Sequence, residues 1–517
     1  MNAAGITTPP AIPQMLQAAA AAWQRGDHAR CIDILEQASG MAPNEAGILF
    51  DLGRCHGWCY DYDAANRCFE KAIRVSGWKT AALLEAGRRC LNFFQNEMAG
   101  NYFERALKQD EKSVEALVRL AQLRVRHNHL EDAAQLIERA LHCDSSFPPA
   151  LMVRASLYRL SGELAKAEEL FRSIVAKPHA DVWIRVQAWY EMGATLDRQQ
   201  RYDDAMGAFL EAKKLLKPAM TQKPVDLKTV HEDLKKTAQL ISAPMLQRWH
   251  KECASLAPRR RFALLCGHPR SGTTLLEQVL DSHPEIIAAE ETPIFHDESF
   301  LPLTRAAEGK FRSPLAMLDA ASIEQLQQSR ANYSRSMDRF LHQSAGNRLL
   351  IDKNPSLTTR MPVVLRIFPE TKFIVALRDP RDVCLSCFMQ PLMPVIPAAS
   401  VFLTLEGTAA EYAFVMGFWQ MMKPLMPAPC LEVRYEDLVN NLESAARRTL
   451  EFLEVPWNEQ VLSFHQHARH KLVQSPTYAE VRKPVSSGAI GRWRNYQKYL
   501  EPHLPALEPF VKAFGYE

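Results

Sequence analysis

The stretch LLCGHPRSGTTLLEQVLDSHPEI, Leu264 to Ile286, reads as a strand, a tight polar loop and a helix. Its apolar run begins at Phe262 as FALLCG, short enough for a buried parallel strand, and LLEQVLDSHPEI has helical spacing. Between them Ser271, Gly272, Thr273 and Thr274 bring backbone N–H groups to a helix N-terminus, where unpaired donors and the helix dipole both favour an anion. A nucleotide-hydrolysing loop needs Gly-Lys-Ser/Thr, with the lysine on the β- and γ-phosphates and the hydroxyl on Mg²⁺. Here Thr273 follows Gly272, so a phosphate site is expected but an ATPase or nucleotide kinase is not.

Farther along, TKFIVALRDPRDVCLSCF, Thr371 to Phe388, is again strand, loop and helix. Arg378 at the strand's C-terminal end and Ser386 on the helix can face one crevice, where open α/β sheets bind ligands. Two separate anion holders imply a ligand phosphorylated at two places. Arg381 and Asp382 are expected to pair locally in the turn, with Arg381 able to reach a phosphate.

Upstream the chain repeats itself. Ala65, Ala99, Ala133 and Ala167 stand 34 residues apart, with Phe69, Phe103, Ile137 and Phe171 moving in step and Gly53, Gly87, Ala121 and Ala155 opening each unit. The register runs back to Cys31, Leu35 and Ala38, and after a short insertion forward to Gly193, Ala205, Phe209 and Ala212. Small residues let paired helices approach and the large residue fills the seam; no unit buries its face alone. This is the pattern of tetratricopeptide repeats, and it predicts six helix-turn-helix units over 12–219, after a disordered 1–11. Pro224 to Ser242 reads as a solvated capping helix within a 220–258 linker, and Arg259 to Arg261 as a solvated junction.

Of the 517 residues 47% are hydrophobic and 23% charged, with net charge +3, a soluble composition without the field that nucleic acid binding calls for. The start has no basic n-region and the alanine run Ala18 to Ala22 is too short to span a bilayer, so a cytoplasmic protein without membrane contact is expected. Eleven scattered cysteines suit buried thiols rather than disulfides, and Cys384/Cys387 and Cys55/Cys59 read as core packing. Pro397 to Met422 reads as one helix, apolar on much of its surface and part of the core.

Taken in order, PRSGTTL and the run Arg378 to Ser386 resemble the 5′-phosphosulfate loop and 3′-phosphate motif of sulfotransferases that use 3′-phosphoadenosine-5′-phosphosulfate. DSHPEIIAAEET and IDKNP are, more narrowly, similar to protein-tyrosine sulfotransferases, and PTYAEVRKPVSSGAIGRWRNY resembles the tail loop of bacterial tetratricopeptide-sulfotransferase proteins. The resemblance implies an all-α tetratricopeptide solenoid followed, over 259–517, by an α/β three-layer P-loop-like sulfotransferase domain with a parallel sheet. It implies 3′-phosphoadenosine-5′-phosphosulfate as co-substrate and no metal. The nucleotide would be held by the loop residues Arg270, Ser271, Gly272, Thr273 and Thr274, by Arg378 and Ser386, and by Tyr435 and Lys483. Arg270 and Lys353 would stabilise the transition state and the departing phosphate, and Glu291 would be the base. Where the protein-tyrosine family carries a further arginine a turn after the serine, this chain has Gln390.

The chemistry can be argued alongside. Sulfuryl transfer, like phosphoryl transfer, is an in-line displacement with charge on equatorial oxygens, so cations must face the sulfonate and its bridging oxygen. A hydroxyl acceptor, with a pKa of about 10 if it is tyrosine, needs a base. Of Glu290 and Glu291, neighbours on a strand, one can face the cleft, unless both cap the following segment. His268, inside the loop, and His283, in the turn before Pro284, are rival bases. Tyr435 falls at the crevice edge or in the core, Lys483 lies in a polar loop with Ser486, Ser487 and Gly488, and Trp493 anchors that loop. The expected function is sulfonate transfer to tyrosine in a protein or peptide recruited by the repeat groove. The alternatives are a sulfotransferase for carbohydrate or small-molecule hydroxyls, and a catalytically silent partner-binding scaffold.

Overall fold

The computed structural model describes residues 12–177, 181–221, 227–252, 256, 259–304, 313–391, 397–470, 482–483 and 485–517. The expected disorder of 1–11 falls outside them. The chain packs as two compact units, Met1–Val125 with His129–Val153, and Arg126–Asn128 with Arg154–Glu517.

Six helix pairs carry the repeats: Ile12–Gln24 and His28–Met41, Ala46–Trp58 and Tyr62–Val75, Thr80–Asn92 and Asn96–Gln109, Val114–Arg126 and Leu130–Cys143, Pro148–Ser161 and Leu164–Val175, Val182–Arg198 and Tyr202–Thr221. The small-large register has a direct steric cause. A Cβ on Gly53 would stand 2.5 Å from the Phe69 ring, and one on Gly193 would stand 2.6 Å from the Phe209 ring. Helix starts are fixed locally, as where Asp27 and Asp61 accept from the Arg30 and Ala64 N–H groups at 3.2 and 3.0 Å.

In the second unit five strands form one parallel sheet: β1 Phe262–Gly267, β2 Ile286–Glu290, β3 Leu349–Lys353, β4 Lys372–Leu377 and β5 Cys430–Arg434, in the order β2-β3-β1-β4-β5. All of β1 is buried, as an apolar run with both faces covered requires. Ala263 and Leu265 of β1 share a core with Leu276, Val279 and Leu280 of helix Thr273–Asp281. The chain leaves β1 towards β2 and leaves β4 towards β5, so the C-terminal ends of these two neighbouring strands open a crevice, the usual ligand position in such sheets.

Two expectations need correction. Pro397–Met422 is not one helix: a 3₁₀ turn over Pro397–Leu403 ends at Thr404, whose extended backbone and hydroxyl, accepting from Gly407 N–H at 2.9 Å, start a new helix Leu405–Met422. Its Tyr412, Met416 and Trp419 are core residues. The basic triplet is a mostly solvated junction: Arg259 and Arg261 are exposed, Arg261 pairing with Glu285 at 3.3 Å, and the half-buried Arg260 pairs with Asp338 at the same distance. The stretch expected to hold one capping helix contains Leu227–Gln239, followed by a second helix, Ala243–Glu252, that buries Leu246 and Trp249. No helix among the described residues is long and apolar enough to cross a membrane.

Candidate active site

The loop after β1 turns sharply because of its glycines. Gly267 has φ 131°, and a Cβ there would strike the Ala376 carbonyl oxygen of β4. Gly272, φ 92°, starts helix Thr273–Asp281, and a Cβ on it would stand 2.5 Å from the Tyr435 ring. Tyr435 thus covers the loop rather than filling the core behind the sheet. Arg270 also takes a left-handed backbone, φ 72°, strain of the kind that clusters at functional sites. The Ser271 hydroxyl and N–H both donate to the His268 carbonyl and close the turn. Thr273 and Thr274, both buried, form the first turn of the helix, where backbone N–H groups precede their intrahelical acceptors.

The two motifs expected to hold anions meet in space. Arg270 Nε donates to Ser386 Oγ at 3.1 Å, and Arg378 Nη1 donates to the Arg270 carbonyl at 3.2 Å. The Arg378 guanidinium also lies over the Tyr435 ring, 4.8 Å from its centre, and donates to the Ala489 carbonyl at 2.5 Å. Gln390 sits just past the same helix, Pro380–Phe388, its N–H donating to Cys387 at 3.3 Å.

A second cluster lies at the C-terminal ends of β2 and β3. Lys353, only 1% exposed, donates to Glu291 Oε1 at 2.8 Å and lies 3.8 Å from the fully buried Glu277 Oε2. Glu291 follows the last residue of β2 and its side chain is 56% exposed, whereas Glu290 is buried. Burial alone would lower the Lys353 ammonium, but Glu291, Glu277 and Glu290 outweigh it and hold it above the ordinary lysine range. The site therefore keeps a permanent cation beside a solvent-facing carboxylate. Asn354 braces this edge: its N–H donates to Leu265 of β1 and its side-chain amide to the Thr292 carbonyl, both at 2.9 Å.

The rival bases face elsewhere. His268 is fully buried against Tyr412 and Phe402, its Nδ1 2.8 Å from the Pro269 carbonyl, and burial pushes it down to about 4. It is a neutral packing group. His283 Nε2 meets the Pro456 carbonyl at 2.9 Å while its Nδ1 accepts from Glu285 N–H at 3.1 Å, so both nitrogens serve the turn. Lys483 is exposed; the adjoining 471–481 and Pro484 of the expected tail loop lie outside the described residues. Trp493 is buried, with the Arg381 guanidinium 4.2 Å above its ring.

The expectation for Arg381 and Asp382 is half right. Arg381 pairs with Asp379 at 2.8 Å, but Asp382 makes no local turn pair: it accepts from Gly491 and Trp493 N–H groups at 2.7 and 2.8 Å. Asp382 stands in the first turn of its helix, where the 491–493 backbone packs and supplies the two donors. Glu277 went unrecognised in the sequence, although an acid on the apolar face of LLEQVL was a signal. A buried carboxylate needs a cation.

The sulfotransferase family model matches residues 263–459 and a tetratricopeptide-repeat model matches residues 95–157. An uncharacterized protein of Aquifex aeolicus is 25% identical over 350 residues, 66% of this chain and 44% of its own, so this chain spans less than half the length of that relative. Protein-tyrosine sulfotransferase 1 of Danio rerio is 26% identical over 313 residues, 56% of this chain and 79% of the relative. Among solved structures, the sulfotransferase domain from the Synechococcus PCC 7002 olefin synthase aligns over 49% of this chain and 96% of its own, with 22% identity and a TM-score of 0.35.

Proposed function

From a chain whose residues 263–459 match the sulfotransferase family, we propose an enzyme that transfers a sulfonate from 3′-phosphoadenosine-5′-phosphosulfate to a hydroxyl, that of tyrosine in a protein or peptide. The observation that carries this reading is the hydrogen bond from Arg270 to Ser386, which joins two anion-holding motifs into one crevice at the end of β1 and β4. The donor set fits such a nucleotide: a helix N-terminus and Arg270 for one phosphate, Arg378 and Ser386 for the other, and Tyr435 against the loop. Lys483 joins them from the tail. The bound donor supplies an activated sulfonate.

The chain's own residues do the rest. Arg270 and Lys353 present fixed positive charge to the transferring group. Glu291, solvent-facing and held beside that charge, takes the acceptor's proton. Lys353 needs no proton transfer to act, because three carboxylates keep it ionised. The relatives named protein-tyrosine sulfotransferases favour tyrosine as the acceptor. The repeats supply recruitment: within the first unit a cavity of about 330 Å³ is lined by Glu36, His56, Asp61, Arg67 and Lys71, a mixed-charge surface suited to a polypeptide.

The test is calorimetry on the full chain. Adenosine 3′,5′-bisphosphate should bind without Mg²⁺ and much more tightly than ATP, and Arg378→Ala should weaken it by the roughly 1.5–3 kcal/mol of a charge-assisted hydrogen bond. Equal affinity for ATP would overturn the reading.

A further inference from the structure

Asp197 lies at the C-terminal end of helix Val182–Arg198, in the last repeat, and has no part in the chemistry above. Its carboxylate, 15% exposed, ion-pairs with Arg492 at 2.8 Å and accepts from the Tyr496 hydroxyl at 2.6 Å. The Tyr202 ring of the same repeat packs edge-on against Tyr496, centres 5.4 Å apart. Both anchors lie in one irregular stretch, 489–496, whose 3₁₀ turn over Arg492–Tyr496 starts from Gly491 in the left-handed region. That stretch touches the nucleotide crevice at three points: Gly491 and Trp493 N–H donate to Asp382, and the Ala489 carbonyl accepts from Arg378. Arg378 in turn reaches the Arg270 carbonyl. Direct contacts therefore lead from the repeat to the anion-binding loop.

We propose that Asp197 is a positioning residue of the nucleotide site: it fixes Arg492 and Tyr496, which hold backbone 489–493 where it orients Arg378 and Asp382. This rests on the sulfotransferase reading of Arg378. An irregular segment with few ladder hydrogen bonds opens at low cost unless side chains pin it. A bidentate guanidinium misplaced by an ångström loses much of its value for a phosphate. The last repeat thereby sets the affinity for the donor. Neighbouring Asp203 offers a built-in comparison, since its contacts to Lys498 and Tyr499 at 2.8 and 3.1 Å tie the following helix rather than the 489–493 backbone.

The experiment uses the full chain with adenosine 3′,5′-bisphosphate as probe, and amide hydrogen exchange without ligand. Asp197→Ala should raise the Kd roughly ten-fold, the factor corresponding to about 1.4 kcal/mol. It should speed exchange at Gly491 and Trp493 while leaving β1 and β4 protected, and Asp197→Glu should recover most of both effects. Asp203→Ala should change the Kd by less than about two-fold. If Asp197→Ala does not fold, Tyr496→Phe and Arg492→Gln each remove one arm and should show the same pattern at smaller size. Unchanged affinity and exchange, equal losses in Asp203→Ala, or faster exchange spread over the whole sheet would overturn the proposal. A wild-type protein that ignores the bisphosphate would instead refute the sulfotransferase reading, and exchange at Gly491 and Trp493 would still decide whether Asp197 holds the segment.

Discussion

Lys353 and Glu291 differ sharply in burial, the cation enclosed and the carboxylate facing solvent, and in the proposed reaction this assigns fixed charge to the first and proton acceptance to the second. Glu291→Gln should therefore leave bisphosphate affinity nearly intact and lower turnover by roughly 10²–10⁴-fold. Turnover unchanged in that variant would move the proton transfer to Glu290. Lys353→Ala should be worse for folding as well, because it strands Glu277 and Glu290 in the interior at a cost on the order of 3 kcal/mol; urea unfolding reads this. His268 gives a pH signature. Its folded value near 4 lies below the ordinary 6.5, so the unfolded chain takes up the proton first and this contribution to stability falls as pH drops through that window. Between pH 7 and 5 the wild type should lose up to about 2 kcal/mol more than His268→Gln, whose side chain cannot titrate.

At the level of elements, Thr404→Ala should cost about 1 kcal/mol by removing the cap that starts helix Leu405–Met422, read as a small drop in melting temperature. The same break shows where sequence reading stops. Apart from Pro397 at its start, the stretch has no proline, and its glycines, Gly407 and Gly417, lie beyond the break, so it looks continuous; the choice between a 3₁₀ turn and a helix is made by a hydroxyl and one extended residue. By contrast, β1, its loop and the repeats were legible, because each rests on short-range necessity: a fully apolar run, glycines that no Cβ could replace, and a small-large register in which Gly53 meets Phe69. The two loops expected to hold anions could be placed after their strands from residue types, but not which of their atoms would meet. Arg270 to Ser386 spans 116 positions and Asp382 to Gly491 spans 109, separations over which local pattern carries no information. Glu277 stayed hidden for a related reason, since it sits on a helix and its partner, Lys353, comes from β3.

At the scale of the molecule, the last repeats and the sheet share one unit, and Lys213 of the sixth repeat is buried with its ammonium on the Phe402 carbonyl at 2.6 Å. Burial pushes that lysine down to about 7, so it sits deep in the packing rather than at a solvated linker. A cut at 220 would remove Lys213, Tyr202 and Asp197 together. The fragment 164–517 should keep bisphosphate binding, whereas 222–517 should lose affinity or solubility; equal binding by both would show that the repeats are dispensable for the site. The recruitment claim needs the intact acceptor, and the central claim of sulfonate transfer can be measured alongside it. Full-length protein incubated with ³⁵S-labelled 3′-phosphoadenosine-5′-phosphosulfate and lysate of the host should transfer label to a protein band that yields labelled tyrosine on hydrolysis, with the label lost in Glu291→Gln. Transfer that persists undiminished in Glu291→Gln, or no transfer to any acceptor while the nucleotide binds, would contradict the account.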